Sequence, residues 1–262
     1  MVSSLLYFER SSTNCMIKIE HTVTASPEQM EFIIEGMRNP MNSWDKSDSM
    51  NCKNDIFLLG DNDYDLMKRL AKAGSDDRKF MRQMPVFVRI TAPLYWWKEF
   101  DTYKVGTVAN SCSTMHEIHA KKFTLDDFSY EHLVDVMEEA IPYDADALII
   151  FNNKTILNTI IAALNSARDL YNTYDKKLKR DDLTTAERKH ATAQRKKFWW
   201  QMIQMLPTSY NQTRNVTMNY EVLKNMYRAR KNHKLDEWHV FCDWVKTLPY
   251  SELITDEYRD AY

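Results

Sequence analysis

Three groups of side chains in this sequence are able to do chemistry. The first is Cys112-Ser113-Thr114, a thiol and two hydroxyls, which follows Tyr103 and Lys104 in the stretch APLYWWKEFDTYKVGTVANSCSTMHEI (Ala92–Ile118). A cysteine attacks as its thiolate, so Cys112 needs a lowered pKa, and Lys104 is the one nearby cation in sequence. The second group is Glu99 and Asp101, which can serve as acid or base but are poor neighbours for a phosphate. The third is Asn219, Asn225 and Arg230. An arginine grips a phosphate or a polarised carbonyl with two parallel bonds, and a carboxamide offers both donor and acceptor to a ring edge. Positions 219, 223, 226 and 230 share one helical face, with 225 on its flank. Each group also has a plain structural reading, as a buried thiol, a helix cap or a surface ion pair. His116 and His119 stand three apart with no carboxylate or third histidine in register, so no metal site is expected. Trp96 and Trp97 read as core or subunit contacts, with a stacking platform for a flat ring as the sharper alternative.

The elements that must position these residues belong to an ordinary globular chain. With 262 residues, 44% hydrophobic and 27% charged, it can bury a core without staples. Its 4 glycines stand isolated at Gly36, Gly60, Gly74 and Gly106, which excludes the phosphate-cradling glycine loops. A net charge of -2 gives no global basic field for nucleic acid, and the runs Lys176–Arg180 and Arg195–Lys197 read as solvated helix faces. The 4 cysteines form no CxxC pair, no apolar run is long enough to span a bilayer, and the N-terminus lacks a basic signal region. Reduced thiols and a cytoplasmic location are expected.

A first strand is expected from Met16, then a helix over SPEQMEFIIEGMRN. Ser26 is its N-cap, Pro27 suits its first turn, and Met30, Ile33, Ile34 and Met37 form its apolar stripe. A polar loop follows from Asn39 to Asp55, then a helix over DYDLMKRLAKAG closed by Gly74. MPVFVRITAPLYW reads as a strand running into the aromatic segment, with Pro93 breaking the ladder or marking where the chain leaves it. Helices are expected over EHLVDVMEEAI and over TILNTIIAALNSARDLYNTYDKKL and TAERKHATAQRKKFWWQMIQML, the last two antiparallel around the loop at Lys179–Thr184. A strand over Asn211–Met218 leads to helices over NYEVLKNMYRARKN and LDEWHVFCDWVKTL.

Two blocks, VFVRITAPLYWWKEFDTYKVGTVANSCSTM (Val86–Met115) and LPTSYNQTRNVTMNYEVLKNMYRARKNH (Leu206–His233), resemble the flavin-dependent thymidylate synthases. The resemblance implies an α/β (α+β) fold, a helix-rich subunit with a small, mostly antiparallel sheet. Residues 16–262 would form one domain behind an extension over 1–15. It implies a homotetramer that binds FAD and a pyrimidine nucleotide such as dUMP where subunits meet, with NADPH and methylenetetrahydrofolate as co-substrates. Neither a membrane nor a nucleic-acid partner is expected.

Carried over position by position, Asn219, Asn225 and Arg230 line the flavin, with Tyr103 and Lys104 beside it. Glu99, Lys104, Cys112, Ser113, Thr114 and Arg230 fall at nucleotide-binding positions, and Cys112 stands at the active-site serine, as candidate nucleophile toward the pyrimidine. The departures are heavy. The family's Arg-His-Arg falls on Thr102, Tyr103 and Lys104, its Gln on Glu99, its later Ser, Asn and Glu on Thr107, Ala109 and Asn110, and its final Arg on Thr114. An arginine that the family carries three residues before the LP is here Ile203. Two readings stay open. One is a divergent enzyme that methylates dUMP or makes a related C5 modification with reduced flavin and a folate donor. The other is an inactive protein that binds or sequesters a nucleotide on the same scaffold. A purely structural protein is a third.

Overall fold

The structure, a computed structural model, describes residues 17–52, 56–133 and 153–258. In chain order the elements are β1 (Lys18–Thr24), α1 (Pro27–Arg38), β2 (Met50–Cys52), β3 (Ile56–Leu58), α2 (Asp61–Lys72), α3 (Phe80–Gln83), β4 (Pro85–Pro93), α4 (Leu94–Phe100), β5 (Val108–Ser111), α5 (Thr114–Glu117), α6 (Asn153–Leu178), α7 (Thr185–Met205), β6 (Asn211–Asn219), α8 (Tyr220–Arg230), α9 (Asp236–Val245) and α10 (Glu252–Thr255). The fold is helix-rich with a small antiparallel sheet. The chain divides into two compact units. The first takes the chain to Thr91, Trp96–Ser111 and everything from Thr213. The second takes Ala92–Tyr95 and Cys112–Gln212.

In the first unit the strands lie in the order β1-β4-β6-β5, with β1 antiparallel to β4 and β5 antiparallel to β6. β4 buries Val86, Val88 and Ile90 in the alternation its sequence promises, and Thr91 meets Thr213 of β6 across 2.7 Å. On α1, Ser26 forms a complete capping box with Gln29, and Met30, Ile33, Ile34 and Met37 are buried as their spacing requires. Trp96, Trp97 and Phe100 of α4 pack with Trp238 and Phe241 of α9, at ring-centroid distances from 4.8 to 6.4 Å. The two tryptophans are fully buried, which settles them as core.

Helix α8 is held from both sides. Lys224, fully buried, donates to the Leu253 carbonyl at 2.9 Å and to Asp256 at 2.5 Å, while Glu221 accepts from Arg78 and Arg82. A buried ammonium persists only when so satisfied. A second buried pair, Arg38 with Asp63 at 2.5 Å, ties α1 to α2, and Asp63 also accepts from Ser47, Ser49 and two backbone N–H groups.

In the second unit α6 and α7 pack as an antiparallel pair, with Tyr174 stacked on Phe198 and Arg195 paired with Asp175 at 2.6 Å. Leu157, Ile161 and Leu164 of α6 bury against Met202, Phe123 and Phe128 in one cluster. Asn165 clamps the Phe123 backbone by donating to its carbonyl and accepting from its N–H, both at 2.9 Å.

Three expectations are corrected. The polar stretch Asn39–Asp55 carries two 3-10 turns and the strand β2, which pairs with β3. Each strand of that hairpin is only three residues long, too short for an alternation to show against the polar residues around it. Helix α2 ends on Ala73, whose N–H reaches Arg69 and Leu70 carbonyls, and not on Gly74. The aromatic segment does not extend the strand. β4 stops at Pro93 and α4 begins at once, with the Leu94 and Tyr95 N–H groups donating to Tyr210 and Thr208 carbonyls at 3.0 Å. The expected helix over EHLVDVMEEAI from Val134 onward and the 1–15 extension lie outside the described residues.

Candidate functional site

The first unit gathers three of the expected site residues. Arg230, the last residue of α8, donates from Nε to the Tyr103 hydroxyl at 2.9 Å and from Nη1 to Glu99 Oε2 at 2.7 Å. Its guanidinium also lies over Trp238, 4.9 Å from the ring centroid, and its side chain is 17% exposed. Glu99 sits near the end of α4 and Tyr103 in the turn just after it, so the aromatic core beneath α4 sets their positions. Two further residues join them that the sequence did not single out. Trp238 Nε1 donates to the same Glu99 Oε2 at 2.9 Å, and His233 Nε2 stands 3.3 Å from it. The His233 Nδ1 accepts from the Leu235 N–H at 3.1 Å, which puts the neutral ring's proton on Nε2, facing Glu99. One carboxylate oxygen thus takes two N–H donors, with the His233 ring nitrogen beside it. Both residues follow closely on Arg230, His233 as the last residue of the matched block and Trp238 in the next helix.

Asn219 caps α8. Its Oδ1 accepts from the Val222 N–H at 3.0 Å, the reason the helix begins where the strand ends. Its Nδ2 lies against Gly106, which has φ +82 and whose Cβ, if it had one, would come within 2.8 Å of that nitrogen. The face shared by positions 219, 223, 226 and 230 is therefore a packing face at its middle, where Leu223 and Met226 are fully buried. Asn225 and Lys104 are exposed. Nearby on the same unit Arg214 pairs with Asp101 at 2.7 Å and covers Trp97, 4.2 Å from its ring centroid.

Cys112, Ser113 and Thr114 belong to the second unit. Cys112 is exposed, Ser113 caps the single turn α5 by accepting from the His116 N–H at 3.2 Å, and the Gln212 carboxamide bridges the Cys112 carbonyl (3.0 Å) and the Thr114 hydroxyl (2.9 Å). Tyr210 lies close enough to feel these groups. Burial first, then Asp127 and Cys112, push its phenol above the ordinary range, which keeps it a neutral O–H. His119 packs on Tyr171 at 4.5 Å, and among the described residues no three His, Cys, Asp or Glu side chains gather where a metal could bind.

Chemically, the first unit offers a fixed arginine, an indole N–H, an imidazole and a phenol around one carboxylate, and the second an accessible thiol flanked by hydroxyls. No helix among the described residues is long and apolar enough to cross a membrane. No family model matches the sequence, and no curated protein matches it. Solved structures do. The chain is similar to thymidylate synthase X from Helicobacter pylori with FAD and dUMP, at a TM-score of 0.52 and 15% identity, over 92% of this chain and 96% of that one. A second structure of the flavin-dependent enzyme from Helicobacter pylori, complexed with FAD and dUMP, gives 0.51 and 15%, over 93% and 98%. A UMP/dUMP methylase from Streptomyces cacaoi, bound with 5-Br dUMP, gives 0.49 and 13%, over 92% and 94%. Across nearly its whole length, this chain has the fold of the flavin-dependent thymidylate synthases.

Proposed function

We propose that the protein is a divergent flavin-dependent thymidylate synthase-like enzyme that acts on a pyrimidine nucleotide, methylating dUMP or making a related C5 modification. The observation that carries this reading is Arg230, held by Glu99 and Tyr103 over Trp238 at the end of a helix whose Asn219, Leu223, Asn225 and Arg230 match the family's spacing. The shared fold supports it.

The donor set fits the uncharged ring of a flavin and not its diphosphate. Arg230 and Arg214 are each matched by a carboxylate, so neither brings surplus positive charge. Asn219, Asn225 and Arg230, with Tyr103 and Lys104, are the residues proposed to hold the ring. Glu99, Lys104, Cys112, Ser113, Thr114 and Arg230 are proposed for the nucleotide, and Cys112 as the nucleophile. When bound, the flavin would supply hydride, with NADPH as reductant and methylenetetrahydrofolate as carbon donor. The homotetramer and the cytoplasmic location belong to the same reading.

The test is the visible absorption spectrum of the freshly purified protein, before and after FAD and dUMP are added. An oxidised-flavin band that shifts with dUMP is expected, and Arg230→Ala should lose the flavin while keeping its circular dichroism. A variant that retains stoichiometric flavin removes Arg230 from the site. One observation favours a second reading, a nucleotide-binding protein without catalysis: Glu99 and Asp101 neutralise Arg230 and Arg214, the arginines that face rings in the first unit. A colourless protein that ignores FAD, yet melts higher with dUMP, would establish it in place of the first.

A further inference from the structure

Glu99 Oε2 accepts from Arg230 Nη1 at 2.7 Å and from Trp238 Nε1 at 2.9 Å, and His233 Nε2 stands 3.3 Å from the same oxygen. Two N–H donors converging on one oxygen, with an imidazole nitrogen beside it, is how proteins hold the oxygen of a carboxylate or phosphate ligand. Here the oxygen comes from the chain itself. The set is also preformed. Trp238 is fully buried, the His233 ring is oriented by the Leu235 N–H, and the Arg230 Nε is fixed on the Tyr103 hydroxyl. A ligand phosphate brought to Arg230 would meet the Glu99 charge at hydrogen-bond range of the same guanidinium, and like charges that close repel.

We infer that Glu99 is the specificity-determining residue of this site: it occupies the oxyanion position of Arg230, His233 and Trp238 and excludes anionic ligand groups from them. The inference deepens the reading of Arg230 as a ligand-binding residue and rests on it for its functional meaning. Its physical content, that an internal carboxylate masks an anion site, can be tested without flavin. The phosphate of any nucleotide bound by this protein is then held away from Arg230, and the arginine serves only uncharged acceptors. Glutamine keeps the shape of the side chain, can still accept a hydrogen bond, and removes the charge.

The experiment is calorimetric titration of the full-length protein with inorganic phosphate at low ionic strength, for wild type, Glu99→Gln and Glu99→Gln/Arg230→Ala. Glu99→Gln should bind phosphate at least tenfold more tightly than wild type, and the double variant should lose that gain. Equal affinities for wild type and Glu99→Gln overturn the inference, as does a gain that survives loss of Arg230. If Glu99→Gln does not fold, the wild type decides. Arginine-selective modification by phenylglyoxal, mapped by mass spectrometry, should modify Arg230 at the same rate with and without millimolar phosphate. Protection by phosphate would show the site open and the inference wrong. Flavin retention, read by absorption, tests the enzyme reading separately, so either can fail without the other.

Discussion

Asp63 shows how much one side chain can hold in this fold. It is completely buried, pairs with Arg38 and accepts from Ser47 and Ser49 besides. Burial alone would raise its pKa, but the bonds from Ser49, Ser47 and Arg38 outweigh burial and hold it below the ordinary 3.8. The sign follows directly. A carboxylate depressed in the folded state stabilises above its unfolded pKa, and that contribution disappears as pH falls through the lower, folded value. Urea unfolding of the wild type should therefore lose stability below about pH 4. Asp63→Ala strands the buried Arg38 charge and should cost about 3–5 kcal/mol at neutral pH. A loss within 1 kcal/mol, by the same urea midpoints, would show that Arg38 finds another partner or water. The candidate site is built from equally specific bonds, but Glu99 and Arg230 are 131 positions apart. Each could be singled out in the sequence from its type and spacing. Their pairing could not, because nothing local encodes it.

Elements with their own end signals were legible. Ser26, Pro27 and the Met-Ile stripe specify α1 completely, and Thr184 with Glu187 does the same for the start of α7. Elements without such signals were not. Pro93 marks the end of β4, but α4 has the aromatic composition of a strand and nothing local announces it; its first N–H groups are met by the distant Tyr210 and Thr208 carbonyls. At the start of α8, local and distant sequence meet. Gly106→Ala would put a methyl 2.8 Å from the Asn219 carboxamide, at a φ that side chains rarely adopt, so it strains the turn and dislodges the cap. Unfolding free energies of Gly106→Ala, Asn219→Ala and the double variant should show losses of about 1–3 and about 1 kcal/mol. The double should lose less than the sum, since the glycine change already displaces the cap. Strict additivity would mean that the two positions do not share the contact.

At the scale of the whole molecule, the described residues of a single chain leave apolar surface open. All four residues of β5, an edge of the sheet, are exposed, and Val105 and Val108 beside the Gly106 turn are 89% and 71% exposed. Phe32, Met41 and Trp44 are exposed as well. Light scattering at micromolar concentration should give a mass near four times the 31.1 kDa chain. A strict monomer would remove the intersubunit site from the proposed function while leaving the fold untouched.

The strand order also sets a timetable. β6 lies beside β4 in the sheet, yet their paired threonines are separated by 122 positions. At 5–20 residues per second, roughly 6–24 s of synthesis pass between them. For that time β4, with its row of Val86, Val88 and Ile90, has a partner on the β1 side alone and presents an open edge on the other. The α6–α7 pair closes through local contacts and is complete before β6 emerges. The slow, exposed step in making this protein is therefore the closing of its own sheet, and a chaperone that covers β4 should raise its yield more than one that waits for the finished chain.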